Sequence, residues 1–301
     1  MDFDNYRTFY YVGKYKSATL AAKELFTSQP AVTRAIKKLE YELGCRLFVR
    51  SKKGMEFTHE GETLFEYVSA SFNQLEKGEN EIRKNTSASE GRIVIGATVT
   101  ALDEFLFKFL DKFHKSNPLI KINILTQSTD STIEKLRSGV IDVALVTSPC
   151  AMCSDVEYLR ISSFKNVVIG GSQFSHLNNN GPISINELKN YPFVAMSTHT
   201  QLRQYTNEIF LNHNVPISPS IEVDSADVLI PFVKNNLGLS IVPYSLAKRA
   251  IERKDIFIID TKEELPIRYV YMVSSKVFPR SNASKTFSKE VKNEIAISSH
   301  K

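Results

Sequence analysis

The stretch from Ala18 to Leu43, ATLAAKELFTSQPAVTRAIKKLEYEL, constrains this chain more than any other. Leu20, Ala21 and Leu25, then Val32, Ile36, Leu39 and Leu43, recur at helical spacing. Between the two runs stand Phe26, Thr27 and Ser28. Thr27 and Ser28 are good N-cap types, and Pro30 falls in the first turn of the second run, where a missing N–H is harmless. The pattern predicts two short helices joined by a tight turn, a helix-turn-helix. The outer face of the second helix carries Ser28, Gln29, Thr33, Arg34, Lys37 and Lys38. Hydroxyls, an amide and cations near a helix N-terminus suit base edges and phosphates. An ordinary amphipathic pair with a solvated basic face satisfies the same pattern, so the flanking sequence has to decide.

Charge is the first flanking evidence. The 301 residues carry a formal net charge of +5. Residues 1–58 hold eleven Lys/Arg and six Asp/Glu, while the remainder holds 27 of each. The whole excess therefore sits on the segment with the helix pair, which points to a polyanion partner for one domain only. Residues 4–14 are expected as a first helix that buries Tyr6, Phe9 and Tyr10. Gly44 closes the long helix. Leu47-Phe48-Val49 and Met55-Glu56-Phe57-Thr58 then read as two short strands around a basic turn, a wing that would bring Arg50, Lys52 and Lys53 to phosphates or the minor groove. A solvated hairpin is an equal reading for any one of these cations.

From Thr58, the residues Leu64, Val68, Phe72, Leu75 and Ile82 form one narrow apolar seam along a helix of about 25 residues, and such a seam needs a partner, most simply the same helix of a second copy. Residues 85–91, NTSASEG, read as a hinge. Strands and helices alternate from Arg92 onward. Strands are expected at 93–95, 120–125 and 142–146, with helices at 102–114 and 133–138, which is a βαβαβ run implying a parallel sheet. Further strands are expected at 166–170, 192–196, 220–223, 239–242, 256–259 and 268–273, and further helices at 201–213, 225–236, 244–250 and 283–296. The three cysteines, the lack of an N-terminal apolar segment and the lack of any run of eighteen apolar residues suit a cytoplasmic chain in a reducing compartment, away from membranes.

AAKELFTSQPAVTRAIKKLEYELGCRLFVR, followed by a basic turn and FTHEG, resembles the N-terminal domain of LysR-type transcriptional regulators. The later stretches GRIVIG, LRSGVIDVA and VKNNLGLSIVP fit the same family more loosely, in the right order. The resemblance implies a winged helix-turn-helix DNA-binding domain over 1–58, a linker and dimerisation helix with hinge over 59–90, and an effector-binding domain over 91–301. That last domain resembles periplasmic binding proteins, with α/β subdomain I at 91–163 plus 269–301 and subdomain II at 164–268. The partners it implies are double-stranded promoter DNA, a small-molecule effector, a homodimer or homotetramer, and RNA polymerase. Ser28, Gln29, Pro30 and Arg34 stand at the family's recognition positions, with Thr33 in place of the usual serine and Lys37 beside it. Cys45 replaces an aliphatic residue and is expected to pack as a small apolar group.

In such a fold the ligand lies where strand C-termini meet helix N-termini. The matching residues here are Thr98, Val99, Thr100, Thr126, Gln127, Ser128, Thr147, Ser197, Thr198 and Ser225. Their hydroxyls and the free helix N–H groups can hold an anion without a buried cation, so a small carboxylate or oxyanion is the expected effector. Helix capping alone would also account for each Thr and Ser. His199 and Arg203 could add charge to the cleft, although side chains of this kind are more often solvated surface groups. Cys150 and Cys153 form a C-x-x-C with no second pair; two reduced loop thiols are favoured over a metal site or redox pair. No nucleophile elbow, phosphate loop, dinucleotide fingerprint or HExxH is present, so neither enzyme nor cofactor is expected. The competing function is a cytosolic solute-binding protein or small enzyme with an accessory basic domain.

Overall fold

The computed structural model describes residues 2–51, 54–83, 91–179 and 181–298, and the chain divides into two compact units, residues 1–83 with 138–140 and the remainder. In the first unit α1 (Phe3–Tyr15) starts on Asp2, α2 (Ala18–Glu24) on Ser17 and α3 (Gln29–Leu43) on Ser28. Each of these side chains accepts a backbone N–H of its helix's first turn. Gly44 ends α3 at φ +71, the left-handed conformation expected of a C′ glycine. Phe9, Val12, Ala21, Val32, Ile36 and Leu39 form the core with Leu47 and Phe48. Leu20 and Leu43, expected on the inner stripe, are instead 48% and 43% exposed. Helix α2 has only two turns and turns Ala21 and Ala22 inward, and Leu43 lies at the last position of α3, beyond the core.

Strands β1 (Phe48–Ser51) and β2 (Gly54–Phe57) pair antiparallel, with Phe48 opposite Phe57 and their rings 5.1 Å apart. The Glu40 carboxylate accepts from the N–H groups of Leu47 (2.8 Å) and Phe48 (3.3 Å), tying α3 to the wing. Helix α4 (His59–Arg83) follows, capped by the Thr58 hydroxyl on the Gly61 N–H. A Cβ at Gly61 would lie 2.0 Å from the Leu47 carbonyl oxygen, so only glycine lets α4 start against the wing. Along α4 Val68 is buried, whereas Leu75 and Ile82 are 57% and 75% exposed within one chain. Of the expected hinge, residues 85–90 lie outside the described residues, and Gly91 already belongs to the strand that follows.

The second unit holds two α/β halves joined by two crossings. Strand β3 (Gly91–Ala97) leads into helical residues 99–116: α5 (Val99–Ala101), a π-turn (Leu102–Leu106) and α6 (Phe107–Ser116). Next come β4 (Ile120–Thr126), α7 (Thr129–Arg137), β5 (Val143–Thr147) and β6 (Val156–Phe164). The chain then crosses to β7 (Asn166–Gly170), α8 (Ile185–Leu188), β8 (Val194–Met196), α9 (Gln201–Asn212), β9 (Ile221–Val223), α10 (Leu229–Lys234), β10 (Ser240–Pro243), α11 (Tyr244–Glu252) and β11 (Phe257–Ile259). It returns as β12 (Arg268–Ser275) and α12 (Asn282–Ser298).

The first sheet has the order β4-β3-β5-β12-β6 and packs Phe109 and Phe113 of α6 against Phe287 of α12. The second half has the sheet β10-β7-β11 and the parallel pair β8-β9. The expected parallel sheet is only part of the first: β3 is parallel to β4 and β5, but β12 runs antiparallel to both β5 and β6. A strand that returns from the far half of the chain has no crossover helix to fix its direction, so its antiparallel run leaves no local signature. The sequence reading also omitted β6. Its register with β12 shifts between Val270 and Tyr271, which breaks the two-residue alternation that marks a strand.

Candidate functional site

The surface of α3 is built by its own periodicity. Val32, Ile36 and Leu39 face the core, which leaves Gln29, Pro30, Arg34 and Lys37 exposed on the far side. Ser28 is exposed while its Oγ caps the helix, and Thr33 is half-buried with its hydroxyl donating to the Gln29 carbonyl at 3.0 Å. Lys38, read as part of the same basic face, instead pairs with Asp2 at 2.8 Å, which lowers the Asp2 carboxyl below its usual value. Met55 N–H donates to the Lys16 carbonyl at 3.0 Å, anchoring the wing strand to the turn after α1. Lys52 and Lys53 lie outside the described residues, as does the Arg50 side chain.

The second unit contains a cavity of about 250 Å³ between its two halves. Its wall comes from the ends of β3 (Thr98, Val99, Thr100), β4 (Thr126 to Thr129) and β5 (Thr147), then from Met196, the start of α9 (Thr200, Gln201, Leu202), the end of β9 (Asp224, Ser225, Ala226), and Arg268. Strand order explains this convergence: β3, β4 and β5 are parallel, so their C-terminal ends share one edge. Thr98 and Ser128 each accept an N–H from the first turn of the helix they begin. Thr200 caps α9 and donates to the Ser197 carbonyl at 2.9 Å. Of the residues expected at this site, Ser197 and Thr198 are not on the wall. The Ser197 hydroxyl turns instead to the Asp224 carboxylate at 2.5 Å, and Thr198 and His199 are exposed. The Ser225 hydroxyl is held by Asp227.

The wall also carries a buried cation that the sequence analysis does not anticipate, Arg268. It is 2% exposed at the start of β12 and reaches the cavity wall. Its Nε donates to the Ser148 carbonyl at 2.5 Å and its Nη2 to the Thr147 hydroxyl at 3.0 Å. The guanidinium carbon lies 4.9 Å from the Tyr205 ring centre and 5.2 Å from that of Phe164. Nη1 has no hydrogen-bond partner, and no carboxylate forms a salt bridge with the group among the described residues. Burial pushes its pKa down to about 10, so it remains a cation at neutral pH. The signal that could have found it is positional: Arg268 opens an apolar strand, YVYMV, where the sheet buries whatever stands.

Two side-chain bridges also span the cavity's halves. Gln201 Nε2 donates to both oxygens of Asp130, at 3.0 and 3.2 Å, and the Ser245 hydroxyl donates to Glu104 at 2.6 Å. Arg203, read as a cleft charge or a solvated cation, is 5% exposed and bound to Glu222, Asn207 and the Met196 carbonyl. Cys150 and Cys153 are half-buried free thiols. Burial, then the Asp130 charge, pushes the Cys150 thiol up, away from the reactive thiolate.

Residues 3–62 match the family described as bacterial regulatory helix-turn-helix protein, lysR family, and residues 86–296 match the LysR substrate binding domain. An uncharacterized HTH-type transcriptional regulator of Bacillus subtilis (strain 168), YraN, is 27% identical over 230 residues, 76% of this chain and 75% of its own. CbnR complexed with its target DNA aligns at a TM-score of 0.72 and 19% identity, over 97% of this chain and 99% of its own. The effector-binding domain of QuiR in complex with shikimate aligns at 0.62 and 21%, over 69% and 98%. Among the described residues no helix is long and apolar enough to cross a membrane. A winged helix-turn-helix carrying the chain's charge excess, followed by a two-halved α/β domain around a cavity, together with these matches, identifies the chain as a member of the LysR family of DNA-binding transcriptional regulators.

Proposed function

We propose that the cavity is the effector site of this regulator and takes a small carboxylate or oxyanion, with Arg268 as its charge partner. The observation that carries the reading is the unpaired Nη1 of a buried guanidinium on the cavity wall. A buried cation without a counter-ion is costly, and an anion arriving beside it removes that cost. The N–H groups and hydroxyls at Thr98, Thr100, Ser128 and Thr200 supply further donors. At about 250 Å³ the cavity is small beside ordinary ligand sites, which favours a compact metabolite. On the DNA side, Gln29, Pro30, Thr33, Arg34 and Lys37 enter the major groove with Ser28 at the helix start, and Arg50, Lys52 and Lys53 grip the backbone from the wing. The chain works in the cytoplasm as a homodimer or homotetramer joined along the α4 seam, on inverted half-sites, and catalyses no reaction. Anion binding draws the two halves of the second unit together and so shifts which DNA-bound arrangement is favoured.

The test is a thermal-shift screen of the full chain against acetate, lactate, malate, citrate, sulfate and phosphate, with uncharged amides as controls. At about a hundred times its Kd a true ligand adds about 3 kcal/mol of stability, a rise of several degrees. Arg268→Met should lose that rise while keeping affinity for duplex DNA. A rise that persists in Arg268→Met, or that the amides match, would rule the assignment out.

A further inference from the structure

We propose that Phe26, in the turn between α2 and α3, is a DNA contact that covers apolar atoms of the duplex beside the recognition helix. Phe26 is 97% exposed, the most exposed large apolar side chain among the described residues. Its backbone sits at φ +52, in the left-handed region that disfavours side chains. Five non-glycine residues among those described have positive φ, and the other four are Lys16, Asn214, Asn236 and Lys254, all polar. The turn itself does not ask for a phenyl ring. Phe26 N–H donates to the Lys23 carbonyl at 3.2 Å and Thr27 N–H to the Ala22 carbonyl at 2.9 Å. That is a helix-ending hydrogen-bond pattern which glycine makes with less strain. Both the backbone and the bare ring therefore oppose stability, and no packing of the ring among the described residues repays them.

Position supplies the occupant. Residues 26–30 form one continuous exposed run that passes from Phe26 to the Ser28 cap and the first turn of α3. In a family whose recognition helix enters the major groove, that run lies against the groove edge, where thymine methyls and deoxyribose carbons are the apolar atoms on offer. Burying the ring there yields affinity with no change in the number of phosphates neutralised.

The experiment uses the full chain and a duplex that this chain itself selects from a random-sequence pool. Phe26→Gly and Phe26→Asn, both tolerant of positive φ, should keep or raise the melting temperature while Kd rises roughly tenfold. The slope of log Kd against log salt should stay that of the parent. Thymine-to-uracil replacement in the duplex locates the contact. A penalty present in the parent and absent in Phe26→Gly assigns it to a methyl; an equal penalty in both assigns it to a sugar. A Kd within twofold of the parent overturns the proposal. So does a loss of affinity that tracks a fall in melting temperature or in oligomer size, since the ring would then serve folding or self-association.

Discussion

Two arginines are buried in the second unit, and they are buried for opposite reasons. Arg203 on α9 has its guanidinium shared among a carboxylate (Glu222, 2.7 Å), an amide oxygen (Asn207, 2.8 Å) and a carbonyl (Met196, 2.9 Å). Arg268 has one carbonyl, one hydroxyl and two aromatic faces, with Nη1 left over. The bonds of the first hold α9 against the β8-β9 pair. The second lines the cavity and leaves Nη1 buried without a hydrogen-bond partner. Burial alone does not distinguish the two; the kind of partner each guanidinium has among the described residues, a carboxylate for the first and none for the second, does.

The sharpest way to break this contrast is to remove each charge in turn. Arg203→Leu strands three acceptors and should cost about 2 kcal/mol, less than a fully buried pair because Glu222 is 41% exposed and can rehydrate. Arg268→Met discards an uncompensated charge and should change stability by under about 1 kcal/mol, since the lost bonds to Ser148 and Thr147 offset the relief. Urea unfolding of both variants reads the difference, and equal costs would abolish the distinction. Next in size is the bridge across the cavity. Gln201→Glu sets a second carboxylate against Asp130, so the two halves repel. Anion affinity should fall about fivefold at low salt and recover part of the loss at high salt. An unchanged affinity would mean that the bridge does not report on closure. Smallest is Glu104, whose carboxyl is raised above its usual value by burial, against the opposing hydrogen bond from Ser245. For a raised acid, the cost of burying the charge is felt above the folded-state pKa and disappears as pH falls below the unfolded one. Stability should therefore improve as pH drops from that raised value toward 4.5, and Glu104→Gln should flatten this rise and gain slightly at pH 7. Melting temperatures across pH 4 to 8 would show the slope in the parent and its absence in the variant.

The same contrast explains what could be read from the chain before its fold was seen. The recognition helix is a contiguous run, and its caps, its stripe and its exposed polar face all follow from a 3.6-residue repeat. Gln29 and Arg34 need no tertiary information to be placed on the outside. The hydroxyls at Thr98, Thr126 and Thr147 were legible because strand ends in an α/β sheet share an edge by topology. Arg268 was not, because it stands 121 residues from the Thr147 it donates to and arrives on a strand whose direction no local pattern sets. Arg203 was misread for a related reason. Its surroundings come from β8 and β9, and an isolated helix would leave it in water. Ser197 and Thr198 failed through detail finer than topology: one hydroxyl prefers a neighbouring carboxylate, and the other residue lies two positions past the strand end.

The inner place of β12 in the first sheet has a genetic consequence. A premature stop codon between Pro266 and Arg268 would delete a strand flanked on both sides, and with it the α12 layer, while sparing every residue up to Arg83. Such alleles should yield a chain that still occupies promoters yet ignores its metabolite, so nonsense lesions late in the reading frame would act as dominant interferers with the intact copy.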